Sequence, residues 1–449
     1  MLGAGTAERG SRRSLVGWLV GFGSSILADQ VFFLALTWAA LQVGSPGQVG
    51  LVLAAGSVPR LLILVVGGAV ADRVSPKRII ISTDSGRAMV MAAAAAMLML
   101  GSMEIAGLVV VALVIGALDG LFLPAVGALP GRIAAPHEMG RVAALRTVTQ
   151  RSALLVGGPL AGWLIYLSGP SIAFWASAGL FAVSASCLAL VTLRTDDASE
   201  MSTHQPDQPN PTFLIRGRSR SRSTPPHPPT KTATPAAAAP RAGQTLLATI
   251  HDGLVSARRD PVLPWLLLLV AGMNLGFAGP VTAGFPLLAA HSNWGAVGAG
   301  TLIGGFGLGA AVSGLGFLFL PRIPKAGPVA LAGVLTMGVA LIAVGAADTI
   351  TVAVTAAVLL GIASGVFATV VHAIVLSRTP KTELGRVMAL LSLSVEGVVP
   401  ISLAGSGLLT ATLGANATIM IGGTVAIATT VVAATRPALR TLQLTTLGR

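Results

Sequence analysis

Twelve times along its 449 residues the chain runs through a long apolar stretch. Each is close to the ~20 residues that a helix needs to cross a bilayer core. The runs fall at approximately 15–40, 48–70, 79–100, 105–130, 142–166, 171–193, 262–290, 296–320, 328–346, 350–377, 387–411 and 415–435. In lipid no water pairs with backbone N–H and C=O groups, so a spanning segment must be a helix or part of a closed barrel. These runs lack the two-residue alternation of barrel strands and are too long for them. The expected fold class is therefore an all-α integral membrane protein. Composition agrees, because 53% of residues are hydrophobic and only 10% charged, outside the range of soluble globular domains.

A formal net charge of +13 could suggest nucleic acid, but the bases are not grouped with the aromatic residues of a nucleic-acid groove, and no such partner is expected. They are instead segregated along the chain. Arg9, Arg12 and Arg13 precede the first run, and Arg73, Lys77 and Arg78 lie between the second and third. Arg132 and Arg141, Arg322 and Lys325, and Arg378, Lys381 and Arg386 fill the connections 4–5, 8–9 and 10–11. The other short connections carry no Lys or Arg. By the positive-inside rule both termini are cytoplasmic, and the chain is a multi-pass protein of the cell membrane. The first run is too long for a cleavable signal peptide and serves as its own insertion signal. Cys187, the single cysteine, reads as a small buried hydrophobe.

The expected organisation is a cytoplasmic tail over 1–14, a six-helix bundle over 15–193, a linker over 194–260, a second six-helix bundle over 261–435 and a tail over 436–449. The linker contains RGRSRSRSTPPHPPTKTATPAAAAP, which has too little apolar surface to order itself. Its Arg-Ser run could touch anionic headgroups, although a solvated connector is the plainer reading. The two bundles repeat each other. EMGRVAAL and ELGRVMAL align at an offset of 245, Glu138 falling on Glu383 and Arg141 on Arg386. The same offset pairs Gly116 with Gly361, Gly120 with Gly365 and Phe122 with Phe367. Six spans per half give both halves one orientation, a parallel repeat with the cargo site expected between them near mid-membrane.

Six plus six spans, the long middle segment and Gly68-x-Val70-Ala71-Asp72-Arg73-x3-Lys77-Arg78 after the second span resemble the major facilitator superfamily. Ser57-Val58-Pro59-Arg60, Asp84-x-x-Arg87 and Gly157-Gly158-Pro159-Leu160-Ala161-Gly162 resemble its branch of enterobactin exporters and macrolide efflux proteins. The resemblance implies a secondary active exporter. It also implies that Asp72, within the set Gly68, Asp72, Arg73, Lys77 and Arg78, latches the two bundles together in one state. The bases of that set are otherwise sufficiently explained as topology markers. Gly157, Gly158, Pro159 and Gly162 resemble an antiporter signature, in a shorter form.

Ionisable groups within spans are costly and mark function. Asp29, Arg60, Asp119 and Glu396 fall near the middles of their runs. Arg60 cannot lose its proton, so it needs a carboxylate, a carbonyl or water, and Asp29 and Asp119 are the acids in its bundle. One reading is a permanent ion pair. The other is that one acid pairs with Arg60 while the second, with Asp29 favoured, loads and unloads a proton. Asn274 replaces Asp29 in the second half, and it and His372 are possible cavity residues, although for His372 a hydrogen-bonded packing role is the favoured reading. Glu396 in SVEGVVP sits where Gly397 and Pro400 loosen the helix, and it could attract cationic cargo, titrate or merely be hydrogen-bonded.

GAGTLIGGFGLGAAVSGLG at 298–316 offers small-residue spacings for close helix contact and lacks the Lys-Ser/Thr of a nucleotide loop. No zinc-ligand spacing or catalytic triad stands out, so neither metal, cofactor nor enzymatic activity is expected. The function expected is proton antiport exporting a small amphipathic molecule, such as an antibiotic, siderophore or other secondary metabolite, by a monomer whose partners are cargo, protons and the lipid bilayer. Uptake by proton symport and a non-transporting membrane sensor or scaffold are the alternatives.

Overall fold

The computed structural model describes residues 2–134, 138–191, 254–255, 257–319, 325–380 and 383–443, with the side chains of 2–13, 65–73, 132 and 317–319 left out. The central linker lies outside the described residues. The spanning helices are α1 (Leu2–Val43), α2 (Pro46–Arg73), α3 (Pro76–Met99), α4 (Ile105–Ala128), α5 (Met139–Ser168) and α6 (Pro170–Leu190) in the first half. In the second half they are α7 (Leu263–His291), α8 (Gly295–Phe319), α9 (Ala326–Gly345), α10 (Ile350–Arg378), α11 (Leu384–Leu413) and α12 (Ala415–Ala434). Eleven of the twelve are long and apolar enough to cross a membrane. The exception is α5, whose first half carries Arg141, Arg146, Gln150 and Arg151. It is nevertheless packed against α1 and α8 inside the assembly.

Proline opens α2, α3 and α6, where its missing N–H costs nothing because the first turn has no acceptor for it. The duplication read from sequence extends to backbone and packing. Gly169 between α5 and α6 has φ +80° and Gly414 between α11 and α12 has φ +87°, so the two tight turns are equivalent and both need the left-handed region that glycine tolerates. Within the first half α1 packs on α5 and α6, α2 on α4, and α3 on α4 and α6. In the second half α7 packs on α11 and α12, α8 on α10, and α9 on α10 and α12, the same scheme six helices later.

Two helix pairs make the main joins between the halves, α5 with α8 and α2 with α11, with lesser contacts of α1 and α2 to α7 and of α1 to α8. Lipid tails are as apolar as leucine, so helices associate through close van der Waals contact, which small residues permit. A Cβ on Gly158 would stand 2.8 Å from the Cβ of Ile303, and one on Gly162 would stand 2.5 Å from the Ala296 carbonyl. Gly300 and Gly304 meet Gly158 and Pro159 in return, so the two glycine-rich stretches of the sequence form one seam. Gly50 of α2 and Gly407 of α11 touch backbone to backbone. These contacts all fall in the halves of the helices nearest the connections that lack Lys and Arg, called the charge-poor ends here; the opposite ends are the basic ends. Around the outside, Leu62, Met89, Ile401 and Leu408 remain exposed, as a lipid-facing surface requires, and Trp163, Tyr166 and Trp175 gather near the charge-poor ends, where aromatic belts sit.

Lys77, expected as a topology marker and part of the latch set, has a bond-level role within its own bundle. Its Nζ donates to the carbonyls of Ala189 at 2.9 Å and Val191 at 2.6 Å, capping the end of α6 whose last carbonyls lack helical partners. Arg78 is exposed and Gly68 lies within α2, while the side chains of Asp72 and Arg73 lie outside the described residues, as does Arg322.

Gly162→Leu should force the α5–α8 seam apart. In a Cys187→Ser background, a cysteine at Leu53 in the cavity wall should then react about tenfold faster with an impermeant maleimide applied from the charge-poor side, corresponding to ~1.4 kcal/mol in the opening equilibrium. Unchanged reactivity would show that the seam is not what closes that side.

Candidate functional site

Between the bundles lies a cavity of about 300 Å³. Its walls are mostly apolar, with Phe32, Phe33 and Ile115 from the first half and Phe277, Phe306 and Leu403 from the second. The polar groups that reach it are Gln30, Ser57, Arg60, Asp119, Thr282 and Glu396. A second cavity of about 200 Å³ opens from it toward the basic ends, lined by Asp29, Arg87, Gln150 and Arg151 and sharing Gln30, Phe33, Arg60, Asp119 and Leu154 with the first. Arg60 and Asp119 thus stand at the boundary of an apolar chamber and a charged one.

Local irregularities shape the second-half wall. Pro280 lacks an N–H, and α7 widens there into a single π turn, Pro280–Gly284, of the kind that accompanies functional sites. Ser402 of α11 compensates by accepting from the Gly279 N–H at 2.8 Å and donating to the Leu275 carbonyl at 2.7 Å. Val281 and Thr282 from this turn face the cavity. In α11 the helix breaks after Glu396 and resumes at Val399, where Gly397 and Pro400 were expected to loosen it.

The charged chamber is built around Arg87, which is fully buried. Its guanidinium reaches carboxylates on three helices: Asp119 of α4 at 2.7 Å, Asp84 on its own helix at 3.2 Å and Asp29 of α1 at 3.9 Å. The rings of Phe122 and Phe181 lie 4.2 and 5.3 Å from it and complete the enclosure, a cation–π arrangement that a desolvated guanidinium favours. Asp84 is also fully buried and accepts from Ser25 of α1 at 3.1 Å and Ser184 of α6 at 2.6 Å. With these donors and Arg87, both carboxylate oxygens of Asp84 are hydrogen-bonded. Those of Asp29 and Asp119 are not, because Asp29 Oδ1 and Asp119 Oδ1 have no hydrogen-bond donor, the 2.7 Å contact of Asp119 lying off the hydrogen-bonding direction.

The expected pairing of Arg60 with Asp29 or Asp119 is therefore corrected. Arg60 Nη2 lies 3.6 Å from Glu396 Oε1 in the opposite bundle, because the acids of its own bundle are gathered by Arg87. In the sequence Asp84 and Arg87 stand out through the resemblance alone, since an apolar run starting at 79 puts them near its end. The overlooked signal was an acid and a base three residues apart, one helical turn, inside an apolar run. One further expectation is corrected: the Asn274 amide donates to the Val270 carbonyl of its own helix at 2.9 Å and does not line the cavity. His372 does not line it either, and its ring bonds the Ala368 carbonyl at 2.8 Å, in keeping with the favoured hydrogen-bonded reading, although the ring is exposed and not packed. Gly157, by contrast, leaves the room that the Gln30 side chain fills between the two chambers.

Two repeated six-helix bundles around a central cavity with buried charges define a multi-pass membrane transporter. The sequence model of the Major Facilitator Superfamily matches residues 14–328, and the chain belongs to that family. No curated protein sequence matches it. Among solved structures, it is similar to a crystal structure of the nucleoside transporter NupG, with a TM-score of 0.65 and 11% identity, covering 94% of this chain and 100% of that one. It is also similar to a bacterial homolog of the human lysosomal transporter Spinster in an inward-facing, unoccupied conformation, with a TM-score of 0.61 and 14% identity, covering 97% and 99% of the two chains.

Removing one partner from a buried charge cluster leaves the others uncompensated, so Arg87→Met should cost about 3–5 kcal/mol, read as a lowered thermal unfolding midpoint of the purified protein. Arg60→Met, which removes a partly exposed group with one 3.6 Å ion contact, should cost about 1 kcal/mol or less. Equal losses would overturn this ranking.

Proposed function

We propose that the protein is a secondary active exporter that exchanges protons for a small amphipathic molecule, such as an antibiotic, a siderophore or another secondary metabolite. The observation that carries this reading is that Arg60 and Asp119 line both the apolar chamber and the charged one. Cargo in the first chamber and protons in the second would act on the same two side chains. Walls rich in Phe and Leu suit an amphipathic cargo better than a sugar, whose hydroxyls require more polar partners. The segregation of Lys and Arg supports cytoplasmic basic ends and a place in the cell membrane. With that orientation, the glycine seams close the outer side and cargo reaches the cavity from the cytoplasm. The resemblance of 157–162 to antiporter sequences and of 57–60 and 84–87 to the enterobactin and macrolide efflux branch supports export over uptake. The reading takes one chain as the working unit, with Asp72 in the last turn of α2 as a latch at the basic ends.

In this scheme Asp29, which faces the charged chamber and has a carboxylate oxygen without a donor, carries the exchanged proton. Alternating access then rocks the bundles about their seams. An electrogenic exchange would gain ~2.3 kcal/mol per charge per 100 mV.

Cells with and without the protein, challenged with a panel of dyes, antibiotics and siderophores, should differ in accumulation, and an uncoupler should abolish the difference. In proteoliposomes Asp29→Asn should remove proton-driven transport, and undiminished pumping would eliminate Asp29 from the exchange. Inward accumulation driven by an inward proton gradient would establish symport instead, while binding without flux would establish a sensor.

A further inference from the structure

The two bases of the intramembrane cluster are held very differently. Arg87 is enclosed by three carboxylates and two rings and has no exposed surface. Arg60 makes one ion contact, at 3.6 Å and therefore longer than a hydrogen bond, and its Nε is buried without an acceptor; Arg87 Nε also lacks one, but its Nη1 bonds Asp84 at 3.2 Å and its Nη2 lies 2.7 Å from Asp119. A guanidinium carries five N–H donors, so Arg60 is under-satisfied where it stands. The side chain follows Pro59, in a helix whose backbone is approached closely by Gly120 of α4, the residue next to Asp119. Glu396, on the other side, stands at the break of α11.

The charged groups around Arg60 are Asp29 of α1, Asp84 and Arg87 of α3, Asp119 of α4, Arg151 of α5 and Glu396 of α11. Arg87 supplies one positive charge to three acids, nearest to Asp119 at 2.7 Å, and Ser25 and Ser184 hold Asp84 as well. Arg151 stands at the chamber wall toward the basic ends and is partly solvated, so its charge is screened. Asp29 and Asp119 are left without a full counter-charge from their own bundle. They need none when protonated, and Arg60 is then free to face Glu396, as in this structure. When they are ionised, two carboxylates in a low-dielectric chamber draw the nearest unsecured cation.

We propose that Arg60 is a moving counter-ion that alternates between Glu396 of the opposite bundle and the Asp29–Asp119 pair of its own. The bridge between the bundles then forms when that pair is protonated and breaks when it is ionised, which converts proton occupancy into a force between bundles. The proposal rests on the proton-coupled reading above and adds the residue that transmits it. Arg60 is a positioning residue in this scheme, and Arg87 a fixed one.

The test uses the full chain in liposomes, with Cys187→Ser and spin labels on Arg141→Cys and Ser377→Cys, exposed positions at the basic ends of the two bundles. Pulsed electron resonance distances are recorded from acidic to alkaline pH. The parent protein should move between two distances. Asp29→Asn with Asp119→Asn should hold the acidic distance at every pH, because Arg60 stays with Glu396. Glu396→Gln should hold the alkaline distance, because Arg60 stays with the acids. A static structural bridge would not lock the two variants at opposite ends. Arg60→Glu with Glu396→Arg rebuilds the bridge but removes the cation that can return, so its pH response should be lost. A parental pH response in either Glu396→Gln or the exchanged pair overturns the proposal. Proton-driven flux of the parent, measured in parallel, separates the two readings. Intact flux with a parental response in Glu396→Gln removes only the counter-ion, whereas neither flux nor a pH response in the parent removes both.

Discussion

A guanidinium in the middle of a membrane must find carboxylates, carbonyls or water, and in this protein the surroundings of Arg87 set the arrangement of the first bundle. Its acids come from α1, α3 and α4, the serines that hold Asp84 from α1 and α6, and its rings from α4 and α6. Four helices therefore share one charge. Insertion of such a group costs ~2.5–3.5 kcal/mol on translocon scales before compensation, so the cluster tolerates few rearrangements. The consequence for function is that most of the buried charge is immobile. The groups left with unused capacity, Asp29, Asp119, Arg60 and Glu396, are those that face the cavities.

The second constraint is steric. The bundles meet where glycine removes the side chain, at α5 with α8 and at α2 with α11. Contacts of this kind have no hydrophobic driving force in lipid and gain only what close approach supplies. A pair of bundles joined this way is suited to rocking, and the ionic contact between Arg60 and Glu396 adds a directional term where the apolar seams supply none.

Much of the architecture was legible before any coordinates. Length and apolarity located the spans, except that α5 is less apolar than the rest because its basic half carries three arginines. The offset of 245 anticipated equivalent turns at Gly169 and Gly414 and equivalent helix pairings. Glycine spacing in 298–316 indicated close contact, although its partner, 157–162, had been read only as a family signature. The site was less legible. Asp29, Arg60, Asp119 and Glu396 were selected from their positions within apolar runs, and all four line the cavities. Asn274 and His372 do not, because the direction a side chain takes around a helix is invisible when the helix is apolar on every face.

By itself the sequence determined which segments had to be helices in lipid and picked out Asp29, Arg60, Asp119 and Glu396 within them, though not Asp84 and Arg87, because solvation penalties depend on residue type and local length. The tertiary structure alone decided who compensates whom. Arg60 turned to the opposite bundle and Arg87 took the acids of its own, since pairing depends on the depth and rotation of helices, and those are fixed by glycine contacts and helix breaks spread over the whole chain.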